Sequence, residues 1–463
     1  MDYDLIIIGS GPGGYVAAIR ASQLKMKVAV VERAELGGIC LNWGCIPTKS
    51  LLKSAQVFEY LTHAKDYGIE IEGVVKPDFA SIISRSRGVA NGMSNGVQFL
   101  FRKNKIEHIK GYGRLAGKNT VDVTDGEGKS KKYTAQNIII ATGARSKELP
   151  NLRQDGKKII GYREAMTLEK LPVSMVVVGS GAIGSEFANF YQTLGTQVTL
   201  VEFLPRIVPV EDEEVSKQLE RSFKKMKMKV MTDSSVESVD TSGENCKVTI
   251  KTPKGTEQVE AEIVLSAVGI TTNIENIGLE EAGVSTEKGK VVVDDFYRTS
   301  VPGIFAIGDI VHGPALAHVA SAEGIICVEK IAGADPEPLD YKNIPGCTYT
   351  SPEIASCGLT EAAAREAGYD IKVGKFPFTA SGKASASGAR EGFVKLIFDS
   401  AYGELLGAHM IGANVTEMIS EIVVARKLET TAHEIIKSVH PHPTMSEAIM
   451  EAAAAAYDEV IHI

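Results

Sequence analysis

The chain has 463 residues, 44% hydrophobic and 23% charged, with a formal net charge of −8 at pH 7. That length exceeds what one hydrophobic core serves, so two to four domains of an ordinary globular protein are expected. The acidic balance argues against nucleic acid as the main partner. Six cysteines are too few for a secreted disulfide scaffold, and no apolar run approaches the roughly eighteen residues of a membrane span. Met1-Asp2-Tyr3-Asp4 runs straight into a strand with no leader pattern, so a cytoplasmic protein is expected. The basic run from Phe223 to Lys229 reads as a solvated helix end.

Leu5-Ile6-Ile7-Ile8 is a continuous apolar run, the pattern of a strand buried on both faces of a parallel sheet. It leads into Gly9-Ser10-Gly11-Pro12-Gly13-Gly14, a helical pattern from Tyr15 to Lys25, and a second strand, Val28 to Glu32. The glycines permit a tight turn and the approach of a pyrophosphate to the helix N-terminus, while Glu32 can hold ribose hydroxyls. A glycine turn without a ligand is the alternative, but strand, helix, strand and acid all fall at the required spacing.

Cys40 and Cys45 follow, within Leu36-Gly37-Gly38-Ile39-Cys40-Leu41-Asn42-Trp43-Gly44-Cys45-Ile46-Pro47-Thr48-Lys49. A helix advances about 1.5 Å per residue, and a disulfide needs its Cα atoms within about 7 Å. A bridge here therefore needs a looped or distorted backbone, which Gly37, Gly38 and Gly44 allow. On these residues alone, a labile catalytic disulfide and two reduced buried thiols stand level.

Helical periodicity over about 49–66 and 78–104 reads as structural. Residues 108–143 form short strands broken at Gly117-Lys118-Asn119 and at Asp125 to Gly128, a β-meander. It returns to an apolar strand, Asn137 to Ile140, ending in Ala141-Thr142-Gly143.

The chain then repeats itself. Met175 to Val178 leads into Gly179-Ser180-Gly181-Ala182-Ile183-Gly184, a helix, and a strand ending at Glu202. The first glycine and the acid are 23 positions apart in both copies. A second meander turns at Pro253-Lys254-Gly255 and returns to Ile263 to Ser266, ending Ala267-Val268-Gly269. The same unit at the same spacing is an internal duplication. Two dinucleotide sites in one chain imply electron transfer between two dinucleotides. Glu202 accepts from a free 2′-hydroxyl and repels a 2′-phosphate, which points to NAD.

From Gly269 to about 342 the chain is expected to return to the first domain, with Pro302 to Asp309 a strand ending in an acid. Ala315-Leu316-Ala317-His318 then starts a long helix whose N-terminus could face a flavin ring. Asp309 has the alternative of a turn acid, and His318 of a packed core histidine. The remainder, 343–463, is an α+β segment whose chemical feature is His440-Pro441-His442-Pro443-Thr444-Met445-Ser446-Glu447. Thr444 and Glu447 fit a capping box; alternatively His442 is a general base toward a thiol, its tautomer held by Glu447. No second ligand pair has metal-type spacing, so no metal is expected.

Nearly end to end, the chain resembles the pyridine nucleotide-disulfide oxidoreductases. The resemblance rests on Gly9 to Gly14, Gly37 to Lys49, Ala141-Thr142-Gly143, Gly179 to Glu186, Ala306-Ile307-Gly308-Asp309, Leu316-Ala317-His318 and His442-Pro443-Thr444. It implies an α/β fold with two Rossmann-like dinucleotide-binding domains, each three-layered with a β-meander, and a C-terminal α+β interface domain. The implied boundaries are 1–147 for FAD, 148–272 for NAD, 273–342 for a central domain completing the FAD site, and 343–463 for dimerisation. FAD would lie on Gly9, Gly11, Gly13, Gly14 and Glu32, with Lys49, Gly113, Thr142, Gly143, Asp309 and Ala317 contributing. NAD would lie on Gly179, Gly181, Gly184, Glu202, Val236 and Gly269.

The resemblance also implies the chemistry. Cys40 would be the interchange thiol that attacks a dithiolane, and Cys45 the thiolate against the flavin. Lys49 would pair with Glu186 beside the flavin, and His442, oriented by Glu447, would take the proton from the incoming dithiol. The implied reaction reoxidises protein-bound dihydrolipoamide through a Cys40–Cys45 disulfide and FAD, passing a hydride to NAD+. The implied assembly is a homodimer, with this histidine supplied by the other subunit, serving a lipoyl-bearing protein of a 2-oxoacid dehydrogenase or glycine cleavage complex. Thr48 stands where the family often has serine, Ile270-Thr271-Thr272 where Arg-x-Pro is frequent, and His440 where another residue is usual. Glutathione reductase-like members usually want NADPH, which Glu202 disfavours. Mercuric reductase-like members carry a cysteine pair near a C-terminus that here reads Val460-Ile461-His462-Ile463. An NADH oxidase-type enzyme needs one thiol, and a non-enzymatic flavin-binding component needs neither the cysteine pair nor the histidine motif.

Overall fold

The computed structural model describes residues 1–463. They form two compact units, one built from 1–50, 80–147 and 269–341, the other from 51–79, 148–268 and 342–463.

In the first unit, strand Tyr3–Ile8 lies between the parallel strands Val28–Glu32 and Ser130–Ile140, with Leu5 opposite Val28 on one side and Asn137 on the other. Its alternate residues feed two separate cores, Ile6 and Ile8 one, Leu5 and Ile7 the other. That two-sided burial is why the run is apolar without alternation. Ser130–Ile140 has a double role: its first half pairs antiparallel with Thr120–Thr124, its second half parallel with Tyr3–Ile8 and with the late strand Ile304–Ala306. The meander is narrower than the expected 108–143, because Glu107–Lys110 is a parallel edge strand beside Val28–Glu32.

The first fingerprint helix spans Pro12–Gln23, starting three residues before the expected Tyr15. Gly11 is its extended N-cap, and Pro12 brings a helical φ to a position that needs no N–H partner. It packs on helix Ala317–Ile331, where a Cβ on Gly13 would lie 3.1 Å from the Ala320 carbonyl oxygen. The strand expected over Pro302 to Asp309 is only Ile304–Ala306, and Asp309 falls in a following 3-10 turn.

The second unit repeats the parallel core, with strand order 229–231, 197–201, 174–178, 263–266, 159–160. A three-stranded antiparallel sheet accompanies it, turning at Pro253-Lys254 as expected. The last 122 residues carry a five-stranded antiparallel sheet, ordered 346–348, 353–358, 405–412, 393–399, 371–377. Helices Val415–Lys427 and Glu447–Ala455 contribute Met418, Ile422, Ile449 and Ala452 to its core. No helix is long and apolar enough to cross a membrane.

Within the second unit, the Lys395 ammonium, on a side chain only 2% exposed, meets Asp212, Glu214 and Glu361 at 3.0, 2.9 and 2.8 Å. The neighbouring Glu211 is buried, and its Oε2 has no hydrogen-bond partner. Burial pushes its carboxyl from 4.5 up to about 7, despite a bond from Ser356. An acid with a raised folded pKa costs nothing while protonated and destabilises progressively as pH rises from the unfolded to the folded value. Glu211→Gln is therefore expected to raise the melting temperature at pH 8 and to leave it nearly unchanged at pH 4. Thermal unfolding across that range decides, and an equal effect at both ends would reject burial of charge as the cause.

Candidate active site

The first cradle lies at the carboxyl ends of Tyr3–Ile8 and Val28–Glu32. Gly9 has φ +106°, and a Cβ there would stand 2.2 Å from the Ala141 carbonyl oxygen. A Cβ on Gly14 would stand 2.0 Å from the Gly9 carbonyl oxygen, whereas one on Gly11 would meet nothing within 4 Å. Gly11 thus faces open space at a helix N-terminus, the place a pyrophosphate occupies in this motif. Gly13 faces the partner helix instead, so its part is packing.

Glu32 Oε2 accepts from the Ser10 amide at 2.9 Å and hydroxyl at 2.8 Å, and Oε1 accepts from the Ala34 amide at 2.9 Å. The Ser10 hydroxyl also receives the Gly37 amide at 3.2 Å. One side chain thereby fastens the cradle to the cysteine segment. Gly113 lies against Val31 and Ile8. The Thr142 hydroxyl donates to the Asn273 carbonyl at 2.7 Å, the Asn273 amide side chain donates back to Thr142 O at 3.0 Å, and the Asn273 backbone N–H reaches Gly143 O at 2.8 Å. The departing stretch Ile270–Thr272 is an antiparallel strand against Ala144–Ser146. Burial pushes the Asp309 carboxyl up, with Lys290 opposing. Ala317 opens its helix, and His318, weighed as a core histidine, is exposed.

The cysteine segment breaks where the spacing argument requires. A short helix, Gly38–Asn42, ends at Trp43, which leaves helical geometry at φ −141°, and a second helix, Cys45–Thr62, begins after Gly44. Cys40 therefore sits on one helix and Cys45 at the start of the next. Their side chains are hydrogen-bond partners; that bond and then burial push the Cys40 thiol well above its usual range, with Lys49 pulling it down.

The second cradle, in the other unit, copies the first bond for bond. Gly179 has φ +96°, with a Cβ there 2.5 Å from the Ala267 carbonyl oxygen; a Cβ on Gly184 would stand 1.9 Å from the Gly179 carbonyl oxygen, and one on Gly181 would meet nothing within 4 Å. Glu202 Oε2 accepts from the Ser180 amide at 2.8 Å and hydroxyl at 2.6 Å, and Oε1 from the Leu204 amide at 2.9 Å. The serines at positions 10 and 180 were silent in the sequence, although their shared place in both copies was the available signal. Val236 is buried, and its carbonyl accepts from Asn151 at 2.7 Å. Glu186, also buried, accepts the Tyr349 amide at 3.0 Å. Gly269 and Lys49 belong to the first unit, Glu186 and the second cradle to the other.

In that second unit, His442 Nδ1 lies 2.9 Å from Glu447 Oε1, with its side chain 78% exposed. A carboxylate can only accept, so Nδ1 carries the proton and Nε2 the lone pair. Glu447 Oε2 accepts the Thr444 amide at 2.8 Å, but the last helix begins at Glu447 with Ser446 as its N-cap, so Thr444 is not the cap and only half of the expected capping box forms. Burial would raise the Glu447 carboxyl; the Thr444 amide and His442 outweigh it and hold it low. His440 differs: Nε2 meets Glu421 at 2.8 Å, Nδ1 meets Ser438 O at 3.0 Å, and the side chain is 7% exposed. It has acceptors at both nitrogens, and its pKa is raised, chiefly by the Glu421 hydrogen bond and against the effect of burial.

The residues fit two dinucleotides, since both cradles leave open exactly the glycine where a side chain would obstruct one. Comparison with known proteins agrees. The profile of the pyridine nucleotide-disulphide oxidoreductase family matches residues 3–324, and that of its dimerisation domain matches 344–453. A dihydrolipoyl dehydrogenase of Rhizobium etli is 50% identical over 479 residues, covering 99% of each chain. Another, of Zymomonas mobilis, is 50% identical over 465 residues with 99% of each covered. Among solved structures, LpdA from Mycobacterium tuberculosis superposes with a TM-score of 0.91 at 28% identity, covering 97% of this chain and 98% of that one.

Proposed function

The chain belongs to the pyridine nucleotide-disulphide oxidoreductase family, and we propose that it works as a dihydrolipoyl dehydrogenase, oxidising a protein-bound dihydrolipoyl dithiol at the expense of NAD+. The observation that carries this reading is the facing thiols of Cys40 and Cys45, set at a helix break in the same unit as a dinucleotide cradle. Gly9, Gly11, Gly14, Glu32, Gly113, Thr142, Gly143, Asp309 and Ala317 would hold FAD, which when bound would supply two-electron chemistry between the thiol pair and the nicotinamide. In the second unit, Gly179, Gly181, Gly184, Glu202 and Val236 would hold NAD.

His442 Nε2 takes a proton from the incoming dithiol while Glu447 holds the Nδ1 proton. The resulting thiolate attacks Cys40 sulfur, a substrate–Cys40 bond forms, the Cys40–Cys45 bond breaks, and Cys45 leaves as thiolate. The second substrate thiol, losing its proton, displaces Cys40, which closes the dithiolane and returns the Cys40 thiol. The two electrons now rest on the protein pair, with Lys49 offering positive charge to it. Residues 1–147 and 273–342 serve the flavin, 148–272 serve NAD, and 343–463 form a homodimer in which His442 acts for the other subunit. The partner is a lipoyl-bearing protein of a 2-oxoacid dehydrogenase or glycine cleavage complex, and the compartment is the cytoplasm.

The purified protein is expected to be yellow, with one FAD per chain, and to reduce lipoamide with NADH but not glutathione disulfide with NADPH. Colourless folded protein that cannot be reconstituted, or a preference for the glutathione couple, would overturn the reading. Glu202 gives a second check. Its carboxylate can add charge-assisted bonds to a ribose diol, each worth about 1.5–3 kcal/mol. Glu202→Ala should raise the KM for NAD by at least about tenfold and narrow the gap to NADP; an unchanged NAD/NADP ratio would remove this residue from the site.

A further inference from the structure

The helix Phe79–Lys103 presents three consecutive side chains to the cysteine segment. Arg85 donates to Ser50 O at 2.9 Å and to its hydroxyl at 2.8 Å. The Ser86 hydroxyl donates to Pro47 O at 3.0 Å. Arg87 donates to Asn42 O, and its guanidinium lies 4.3 Å from the centre of the Trp43 ring. These last two contacts fall on the residues where the first helix stops, between the cysteines. Asn42 is tied on its other side as well, its amide donating to Leu36 O at 2.9 Å and Gly38 O at 3.0 Å.

A disulfide tolerates only a narrow range of Cα separation and side-chain direction. Because Cys40 and Cys45 stand on different helices, that separation is set by the bend at Trp43-Gly44. We propose that Arg87 is a positioning residue for the redox turn: its planar fork fixes the Asn42 carbonyl and the Trp43 ring, and so keeps the two sulfurs preorganised to bond. Arg85 and Ser86 grip the start of the second helix, whereas Arg87 alone of the three holds the bend itself. The role rests on the proposed redox use of the pair.

The test is a thiol–disulfide titration of the FAD-loaded enzyme, quenched and alkylated to count free thiols. In it one Cys40–Cys45 disulfide and two glutathione thiols exchange for two protein thiols and one glutathione disulfide, with electrons and protons conserved. Arg87→Ala is expected to shift the equilibrium about tenfold toward the protein dithiol, equivalent to about 30 mV for a two-electron couple. Arg87→Lys keeps the charge but loses the fork and the flat face, so it should shift nearly as far. Trp43 is the only tryptophan in the chain, and its fluorescence anisotropy should fall in both variants. Arg87→Met, which keeps the apolar stem, replaces the alanine variant if that one loses its flavin. Wild-type values in all variants, or in Arg87→Lys alone, would overturn the positioning role, the latter leaving a purely electrostatic one. A wild-type enzyme that never forms the bridge would instead sink the redox reading itself.

Discussion

Serine at either Cys40 or Cys45 brings dihydrolipoamide oxidation down to the assay background, while reduction of the flavin absorbance by NADH survives. The first half follows because exchange needs two sulfurs: an alcohol neither attacks a disulfide nor leaves from one at neutral pH. The second half follows from the layout, in which the first cradle is fixed by the bonds of Ser10 with Glu32 and by the Thr142–Asn273 clamp, all of which the serine variants keep. Rapid-mixing spectroscopy alongside steady-state turnover separates the two half-reactions. Full turnover in either variant would show that the facing thiols are a packing feature.

His442→Ala is expected to lower dihydrolipoamide oxidation by roughly 10²–10⁴-fold, the usual worth of a positioned general base, with NADH-driven flavin reduction nearly unchanged. The proton to be removed is on the incoming dithiol, whose ordinary thiol pKa of about 8.5 leaves little thiolate at neutral pH without a base. His440→Ala should cost far less, because both of its nitrogens are already engaged by Glu421 and Ser438. Should His440→Ala prove the more damaging change, the base has been assigned to the wrong ring.

Much of this site was legible in the chain because it is local. Fingerprint glycines, the acid 23 positions on, the helix break between the cysteines and the His442–Glu447 pair all lie within short windows, where backbone geometry ties residue type to conformation. What was hidden depends on distant segments. Glu107–Lys110 looks like a meander strand until its register with Val28–Glu32 is known. Asn273 is 131 residues from the threonine it clamps, and Arg87 is 45 from the carbonyl it holds. Neither contact leaves a periodic trace. Ser10 and Ser180 sat inside recognised motifs, but a hydroxyl's partner depends on where the following strand delivers its acid. The half-formed capping box shows the converse: Thr444 and Glu447 have the right spacing, but the helix starts at Glu447 itself, which leaves Thr444 two residues before the cap.

The first unit's interrupted chain path also has a consequence for biosynthesis. Ile138, Ile139 and Ile140 find their second neighbour only in Ile304–Ala306, and the helix that covers Gly13 comes later still. At about 5–20 residues per second, the ribosome delivers that strand roughly 8–30 s after it has released Ile140. Throughout that interval the nascent chain carries an open, wholly apolar sheet edge, the kind of surface that recruits other strands. Mutations that slow elongation between the two segments lengthen that exposure, and are expected to lower the yield of this enzyme without touching the finished fold.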